Sequence, residues 1–322
     1  MRCPTLADLP APPAGRVGWP WTCESPQLPD TMPDGRPWPR ISIVTPSFNQ
    51  GQYIEETIRS VLLQGYPDLE YIVIDGGSTD ESVEIIRKYE PWLAYWVSEK
   101  DRGQSHAINK GFERCTGEIV NWLCSDDLLA PGALAAVACV LPCGESAWLV
   151  GASVEFEGDD PLSGTPDTRR PTADEMLYDF RTFPQPSTFW TRQLWEAAGP
   201  VLEALGGEEM FFAMDYELWL RMRTIMEPEF IDAVLSYARV HSAQKGPAAA
   251  RDGLLSRFTR QRVLGALAGA RDRGIPSWLW LARSWRRHFM RAVRSRRWHM
   301  LRGSDSHRDA LRLALRLRPP AR

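Results

Sequence analysis

Residues 41–80 read ISIVTPSFNQGQYIEETIRSVLLQGYPDLEYIVIDGGSTD, and this stretch decides the fold. Ile41 to Thr45 is a short β-branched run stopped by Pro46, which predicts a buried strand. From Gln52 onward the apolar residues fall at Ile54, Ile58, Val61 and Leu62, the spacing of one helical face. Gly65, Tyr66 and Pro67 end that helix, because proline cannot continue it and the residue before proline avoids the α region. A second strand, Tyr71 to Ile74, delivers Asp75 at its carboxyl end with Gly76 and Gly77 behind it. Strand, helix and strand of these lengths make a βαβ unit with a right-handed crossover, and ligands collect beyond the carboxyl ends of parallel strands. Asp75 and the Pro46–Gly51 loop therefore belong to one rim.

Working outward, Ser78, Thr79 and Asp80 are N-cap types ahead of a helix over Val83–Tyr89. Leu93 to Val97 reads as a third strand, Gln104 to Arg114 as a helix, and Glu118 to Leu123 as a fourth strand delivering Cys124, Ser125, Asp126 and Asp127. Pro131 opens a helix to Leu141, and Trp148–Phe156 reads as a strand. This alternation predicts a doubly wound α/β sheet. Residues 157–175 are polar and read as a loop, Gln185–Trp190 as extended, and Arg192–Ala198 and Met214–Ile225 as helices. A last strand, Ile231–Val240, leads to His241, and Leu254–Leu317 has a helical pattern.

The chain of 322 residues is 43% hydrophobic, enough for one large core or two smaller ones. No apolar run approaches the roughly 20 residues of a membrane helix. No basic-plus-apolar signal peptide opens the chain, so its six cysteines are expected to be free thiols in a reducing cytoplasm. The net charge of −3 hides a division: residues 251–322 carry nineteen Arg and four Asp, about +15, against about −18 in the remainder. An acidic body with an arginine-rich tail points to an anionic surface as the tail's partner. Residues 1–40 hold ten of the 26 prolines together with Trp19, Trp21 and Trp38, which predicts an extended arm whose indoles favour docking.

Asp126 and Asp127 are adjacent carboxylates at a strand end. Their repulsion is costly unless a cation or several N–H donors offset it, and carboxylate oxygens suit Mg²⁺ or Mn²⁺. The plainer reading is that they cap the following turn. Asp75 and Asp101 reach the same rim and favour the first reading.

TPSFNQG, DGGSTD, DRGQSHAINKG, NWLCSDD and MDYELWLR closely resemble, in order, the motif series of family-2 glycosyltransferases, the inverting GT-A group. The resemblance covers roughly residues 18–245. It implies a GT-A (Rossmann-like) fold, a mostly parallel sheet flanked by helices, with a C-terminal helical extension. The implied organisation is a Pro/Trp-rich arm at 1–40, a GT-A domain at 41–245 divided into a nucleotide-binding half at 41–150 and an acceptor half at 151–245, and an Arg-rich helical extension at 246–322. The implied reaction moves a sugar from a nucleotide-diphosphate sugar, UDP-sugar favoured, to a hydroxyl acceptor of a glycan or a lipid-linked saccharide in polysaccharide or glycolipid assembly.

By the same resemblance, Pro46, Phe48 and Asn49 border the nucleoside, Asp75 accepts from the base, and Asp101 and Arg102 hold the nucleotide. Asp127 ligates the divalent metal, Mg²⁺ or Mn²⁺, with Asp126 nearer the donor ribose or sugar and His241 close to the metal or diphosphate. Asp215 matches the general base, with Glu217 as its rival in the same helical turn. Gln185, Ser187 and Trp190 face the acceptor, although the FW of residues 189–190 reads equally as core. His106 departs from the small or acidic residue usual at its position.

Trp278, Trp280, Trp285, Phe289, Val293 and Trp298 interleave with arginines between Arg283 and Arg302. That pattern suits an anionic membrane surface, with packing on the catalytic domain as the alternative. A peripheral enzyme on the cytoplasmic face of the cell membrane is the expectation, and nucleic acid is not an expected partner. Two other functions fit paired carboxylates on a parallel sheet. One is a metal-dependent nucleotidyltransferase, although TPSFNQG lacks the basic residues of its phosphate loop. The other is a non-catalytic sugar-nucleotide-binding protein.

Overall fold

The computed structural model describes residues 1–158, 164, 166–205, 208–242, 244, 255–277, 279–280, 282–284 and 286–287. Strand β1 (Ile41–Ser47) is buried along its whole length and pairs in parallel with β2 (Leu69–Asp75), from Ile41 opposite Leu69 to Ser47 opposite Asp75. The crossover helix α1 (Ile54–Leu62) buries Ile54, Ile58, Val61 and Leu62, the residues its periodicity selects. After α2 (Ser82–Lys88), β3 (Tyr95–Ser98) pairs in parallel with β2. It starts two residues later than the sequence suggests, because Glu90–Trp92 forms a 3₁₀ turn around Pro91. Helix α3 (Gln104–Phe112) then returns the chain to β4 (Ile119–Trp122), which pairs in parallel with β1 on its other side.

Beyond β4 come β5 (Leu128–Leu129), α4 (Ala133–Val140), β6 (Trp148–Phe156) and β7 (Pro166–Asp167). The chain then forms α5 (Ala173–Asp179), β8 (Thr188–Thr191), α6 (Arg192–Ala198), the short pair β9 (Ala204–Leu205) and β10 (Glu208–Glu209), α7 (Met214–Ile225), β11 (Glu229–Arg239) and α8 (Leu255–Asp272). Among the described residues the main sheet runs β3-β2-β1-β4-β8-β6-β11-β5, with β7 attached to β6. Its first half is parallel. Its second half is mixed, since β8 lies antiparallel to both β4 and β6, and β11 is parallel to β6 but antiparallel to β5. The stretch read as a loop at 157–175 contains β7 and the start of α5, whose capping box joins Thr172 and Glu175.

The chain divides into two compact units. The first comprises Met1–Arg169, Pro184–Val201 and Pro228–His241, and the second Arg170–Phe183, Leu202–Glu227 and Ser242–Arg322. In the first unit the proline-rich arm is docked rather than loose, with Trp19, Trp21 and Trp38 all buried. Arg59 of α1, itself fully buried, anchors the arm by donating to the carbonyls of Pro10, Pro20 and Trp21 at 2.9–3.1 Å. The Trp19 indole N–H donates to the Leu129 carbonyl of β5 at 2.9 Å.

In the second unit α7 and α8 pack closely because Gly265 and Gly269 of α8 leave room for Tyr216 and Leu220 of α7. Trp280 is buried there, and its indole donates to the Leu177 carbonyl of α5 at 3.1 Å. For Trp280, then, the packing alternative is the one observed. Trp278, Trp285, Phe289, Val293, Trp298 and the arginines beyond Arg287 lie outside the described residues. No helix among the described residues is long and apolar enough to cross a membrane.

Candidate active site

The first unit brings the strand-end loops together. At the end of β1, Pro46 is buried, Phe48 is 59% exposed, and Asn49 adopts a positive φ of 53°. Asn49 laces this loop to the next: its N–H donates to Ser78 Oγ at 2.7 Å, and its Oδ1 accepts from the Thr79 N–H at 2.9 Å. Asp75, fully buried at the end of β2, accepts from the N–H groups of Gly77 and Ser78 and from the hydroxyls of Ser78 and Ser98. A carboxylate offers about four acceptor positions, so Asp75 mainly holds the DGGS turn and β3 in place. Asp101 sits against Gly76, where any Cβ would fall 2.8 Å from its Oδ2. Its Oδ1 accepts from the Gly103 N–H at 2.7 Å, at the start of α3. The Arg102 side chain is exposed, and its N–H donates to His106 Nδ1 at 3.3 Å, so His106 closes the DRGQ turn.

The carboxylate pair follows β4. The donor atoms of Cys124, Asp126 and Asp127 lie within 4.8 Å of one another. His241 Nε2 lies 3.0 Å from Asp126 Oδ2, with its ring centroid 4.6 Å from that of Tyr53. Asp127 is buried; its Oδ1 accepts from the Arg239 N–H at 3.1 Å, and its carbonyl accepts from Thr57 Oγ1 of α1 at 2.8 Å. Burial pushes the Asp127 carboxyl well above the usual carboxylate range. The Asp126 charge adds to that, while the Arg239 N–H and guanidinium pull the other way. Two hard carboxylates in this state suit a divalent cation, whose charge would offset both the burial and the repulsion.

Gln185 adjoins this cluster. Its Nε2 donates to the Trp122 carbonyl at 2.6 Å, and the Cys124 thiol lies 3.7 Å from its Oε1. Ser187 and Trp190 are instead core residues. The Ser187 hydroxyl is buried between the Ala152 carbonyl and Ser236 Oγ. Trp190 is fully buried on the inserted strand β8, packed on Trp122, Trp195 and Phe112. Neither presents a face to an acceptor, and the core reading of FW is the one that the burial matches.

In the second unit, Asp215 occupies the first turn of α7 and is half-buried. Glu217, two residues on, is buried and paired with Arg221 at 2.8 Å.

Arg239 escaped the sequence reading. A signal existed, because Arg239 lies at the end of the strand that leads to His241. Nothing in the sequence pairs Cys124 with the carboxylates, since a thiol is a poor choice for a hard ion.

The sequence profile of glycosyl transferase family 2 matches residues 42–186. An uncharacterized glycosyltransferase of Mycobacterium tuberculosis is 33% identical over 205 residues, covering 61% of this chain and 74% of that protein. The chain belongs to glycosyltransferase family 2. Solved structures agree on the fold of this glycosyltransferase. Staphylococcus aureus TarS 1–349 in complex with UDP-GlcNAc matches with a TM-score of 0.56 and 20% identity, over 78% of this chain and 73% of that one. The mannosyltransferase PcManGT of Pyrobaculum calidifontis, in complex with GDP-Man and Mn²⁺, matches with a TM-score of 0.52 and 22% identity, over 87% and 76%. The glycosyltransferase thus has a GT-A fold, with its carboxylate pair at the carboxyl end of β4.

Proposed function

We propose that this glycosyltransferase moves a sugar, with inversion, from a nucleoside-diphosphate sugar to a hydroxyl acceptor in polysaccharide or glycolipid assembly. The observation that carries this reading is the buried Asp127 beside Asp126 at the rim of a family 2 fold, clamped by Arg239 and His241. Pro46, the exposed Phe48 and Asn49 border the nucleoside, Asp75 and Asp101 shape its cradle, and Arg102 helps to hold the nucleotide. UDP-sugars are the first donors to test, and GDP-sugars the second.

Asp127 and Asp126 are the residues that would hold Mg²⁺ or Mn²⁺, with His241 oriented on Asp126. A divalent ion there neutralises the charge that develops on a departing nucleoside diphosphate. Asp215 is the general base: inversion requires a carboxylate within reach of the acceptor hydroxyl, on the face opposite the leaving group. Glu217 is the weaker candidate because its charge is already committed to Arg221. Gln185, beside Cys124, is the retained acceptor-side residue. The arginine-rich tail would hold the enzyme at the cytoplasmic face of an anionic membrane.

The test is donor binding and hydrolysis across a panel of nucleotide-sugars with Mn²⁺, Mg²⁺ or EDTA, for the wild type and Asp215→Asn. Expected is one preferred donor whose binding collapses in EDTA. Asp215→Asn should keep that binding and lose transfer by roughly 100-fold or more, the usual contribution of a general base. No binding of any sugar nucleotide under any condition would sink the reading.

A further inference from the structure

A turn by itself does not hold two carboxylates at a fixed separation, and here the end of β11 does so. β11 and β5 pair antiparallel through Ser236 with Leu129 and Tyr237 with Leu128. Two residues further along that register, Arg239 comes opposite Asp126. The Arg239 N–H donates to Asp127 Oδ1, and its Nε donates to the Asp126 carbonyl, each at 3.1 Å. The far side of the guanidinium is fixed twice more: Nη2 donates to Glu56 Oε2 of α1, and Nη1 to the Gly158 carbonyl beyond β6, each at 2.7 Å. The rings of Tyr53 and Phe156 lie 5.0 and 4.5 Å from it, and the side chain is 4% exposed. One planar cation therefore ties the aspartate turn to α1, β6 and β11. Lysine, a point charge on a flexible stem, cannot reproduce that fork.

We propose that Arg239 is a positioning residue for the metal-holding carboxylates, with Glu56 as the anchor of its guanidinium. This rests on the metal reading above and goes beyond it by naming what sets the geometry of that site. Charge and geometry act in opposite directions at Arg239. A cation beside a cation site weakens it through Coulomb repulsion, so deleting the guanidinium would tighten metal binding if charge alone mattered. If positioning dominates, loss of the fork weakens binding whether or not the charge is kept. Loss of a group that orients metal ligands lowers affinity by about 10- to 100-fold.

The experiment measures Mn²⁺ binding from the EPR signal of the free ion, on the full chain, alone and with UDP or GDP. The proteins are the wild type, Arg239→Lys, Arg239→Met, Glu56→Gln, Glu56→Asp and Arg59→Met. Arg59 is an equally buried guanidinium of α1 whose carbonyl partners belong to the arm, so its variant reports purely structural loss. Both Arg239 variants are expected to bind Mn²⁺ about tenfold or more weakly, with Glu56→Gln weakened less and in the same direction. Arg59→Met should melt earlier yet bind Mn²⁺ like the wild type.

Wild-type affinity in Arg239→Lys with tighter binding in Arg239→Met would overturn the proposal and leave the metal site standing. Equal weakening in Arg59→Met would also overturn it, by reducing the effect to lost stability. Absence of Mn²⁺ binding by the wild type in every condition would remove the metal reading and this inference together. Should the Arg239 variants not fold, Glu56→Asp decides alone, because it keeps the charge and shortens the anchor: weakened binding supports the proposal and unchanged binding refutes it.

Discussion

Asp127 is buried beside a second carboxylate, an arrangement that opposes folding whenever both are ionised. Its folded-state pKa lies above the unfolded value of about 3.9, so the folded protein holds this proton more tightly than the unfolded chain does. The resulting stabilisation is complete below about pH 3.9 and is lost as pH rises through the raised folded value. In EDTA the wild type should therefore lose stability from this group between acid and neutral pH. Asp127→Asn should flatten that part of the profile in thermal melts and leave Tm at pH 7 equal or higher. The same variant should lose sugar transfer by roughly 100-fold, since catalytic electrostatics and folding stability conflict at such sites. A lower Tm with unimpaired transfer would contradict this account. Asp126 and Asp127 stood out in the sequence as a candidate site because two carboxylates behind a buried strand have little structural use. Arg239 did not, because its partners lie 113 and 183 residues away. Trp190 misled for the opposite reason: an aromatic on a short extended run looks the same whether it faces a sugar or a neighbouring strand.

Helix α3 lies on β1 through Gly111, where a Cβ would fall 2.3 Å from Val44 Cγ1. Alanine is favoured over glycine in a helix interior by about 1 kcal/mol, but overpacking a dense core costs about 1–3 kcal/mol. Val44 sits on a fully buried strand with no space to retreat, so overpacking wins. Gly111→Ala is expected to destabilise by up to about 2 kcal/mol net in denaturant unfolding, and a stabilised variant would mean that α3 slides freely on the sheet. The arm is tied to the sheet layer by Arg59, whose loss strips three carbonyls of their charged donor. Arg59→Met should cost about 2–4 kcal/mol and open residues 1–40 to protease before the rest of the first unit is cut. Uniform resistance to protease would show that the buried indoles suffice. Helices and parallel strands were placed to within a few residues by periodicity, whereas α5 was missed although its capping box, Thr172 with Glu175, was there to be read.

The division of charge, with nineteen arginines after residue 250 and an acidic remainder, gives a test for the full chain. It should co-float with vesicles rich in phosphatidylglycerol and not with pure phosphatidylcholine vesicles, and high salt should release it, because screening weakens attraction between exposed charges. A chain ending at Arg287 should lose most of that binding; retention would move the contact to the body. What the sequence determined by itself was everything encoded by short-range spacing: the βαβ unit, the amphipathic helices, and carboxylates at successive strand ends. Only the tertiary structure decided that β8 inserts between β4 and β6, making Trp190 and Ser187 core. It also decided that β5 pairs with β11, setting Asp126 and Asp127 against Arg239 and His241, with Glu56 holding the far side of Arg239. The physical reason is that periodicity states which face of an element is buried, while the choice of neighbouring strand rests on non-local packing that no local pattern carries.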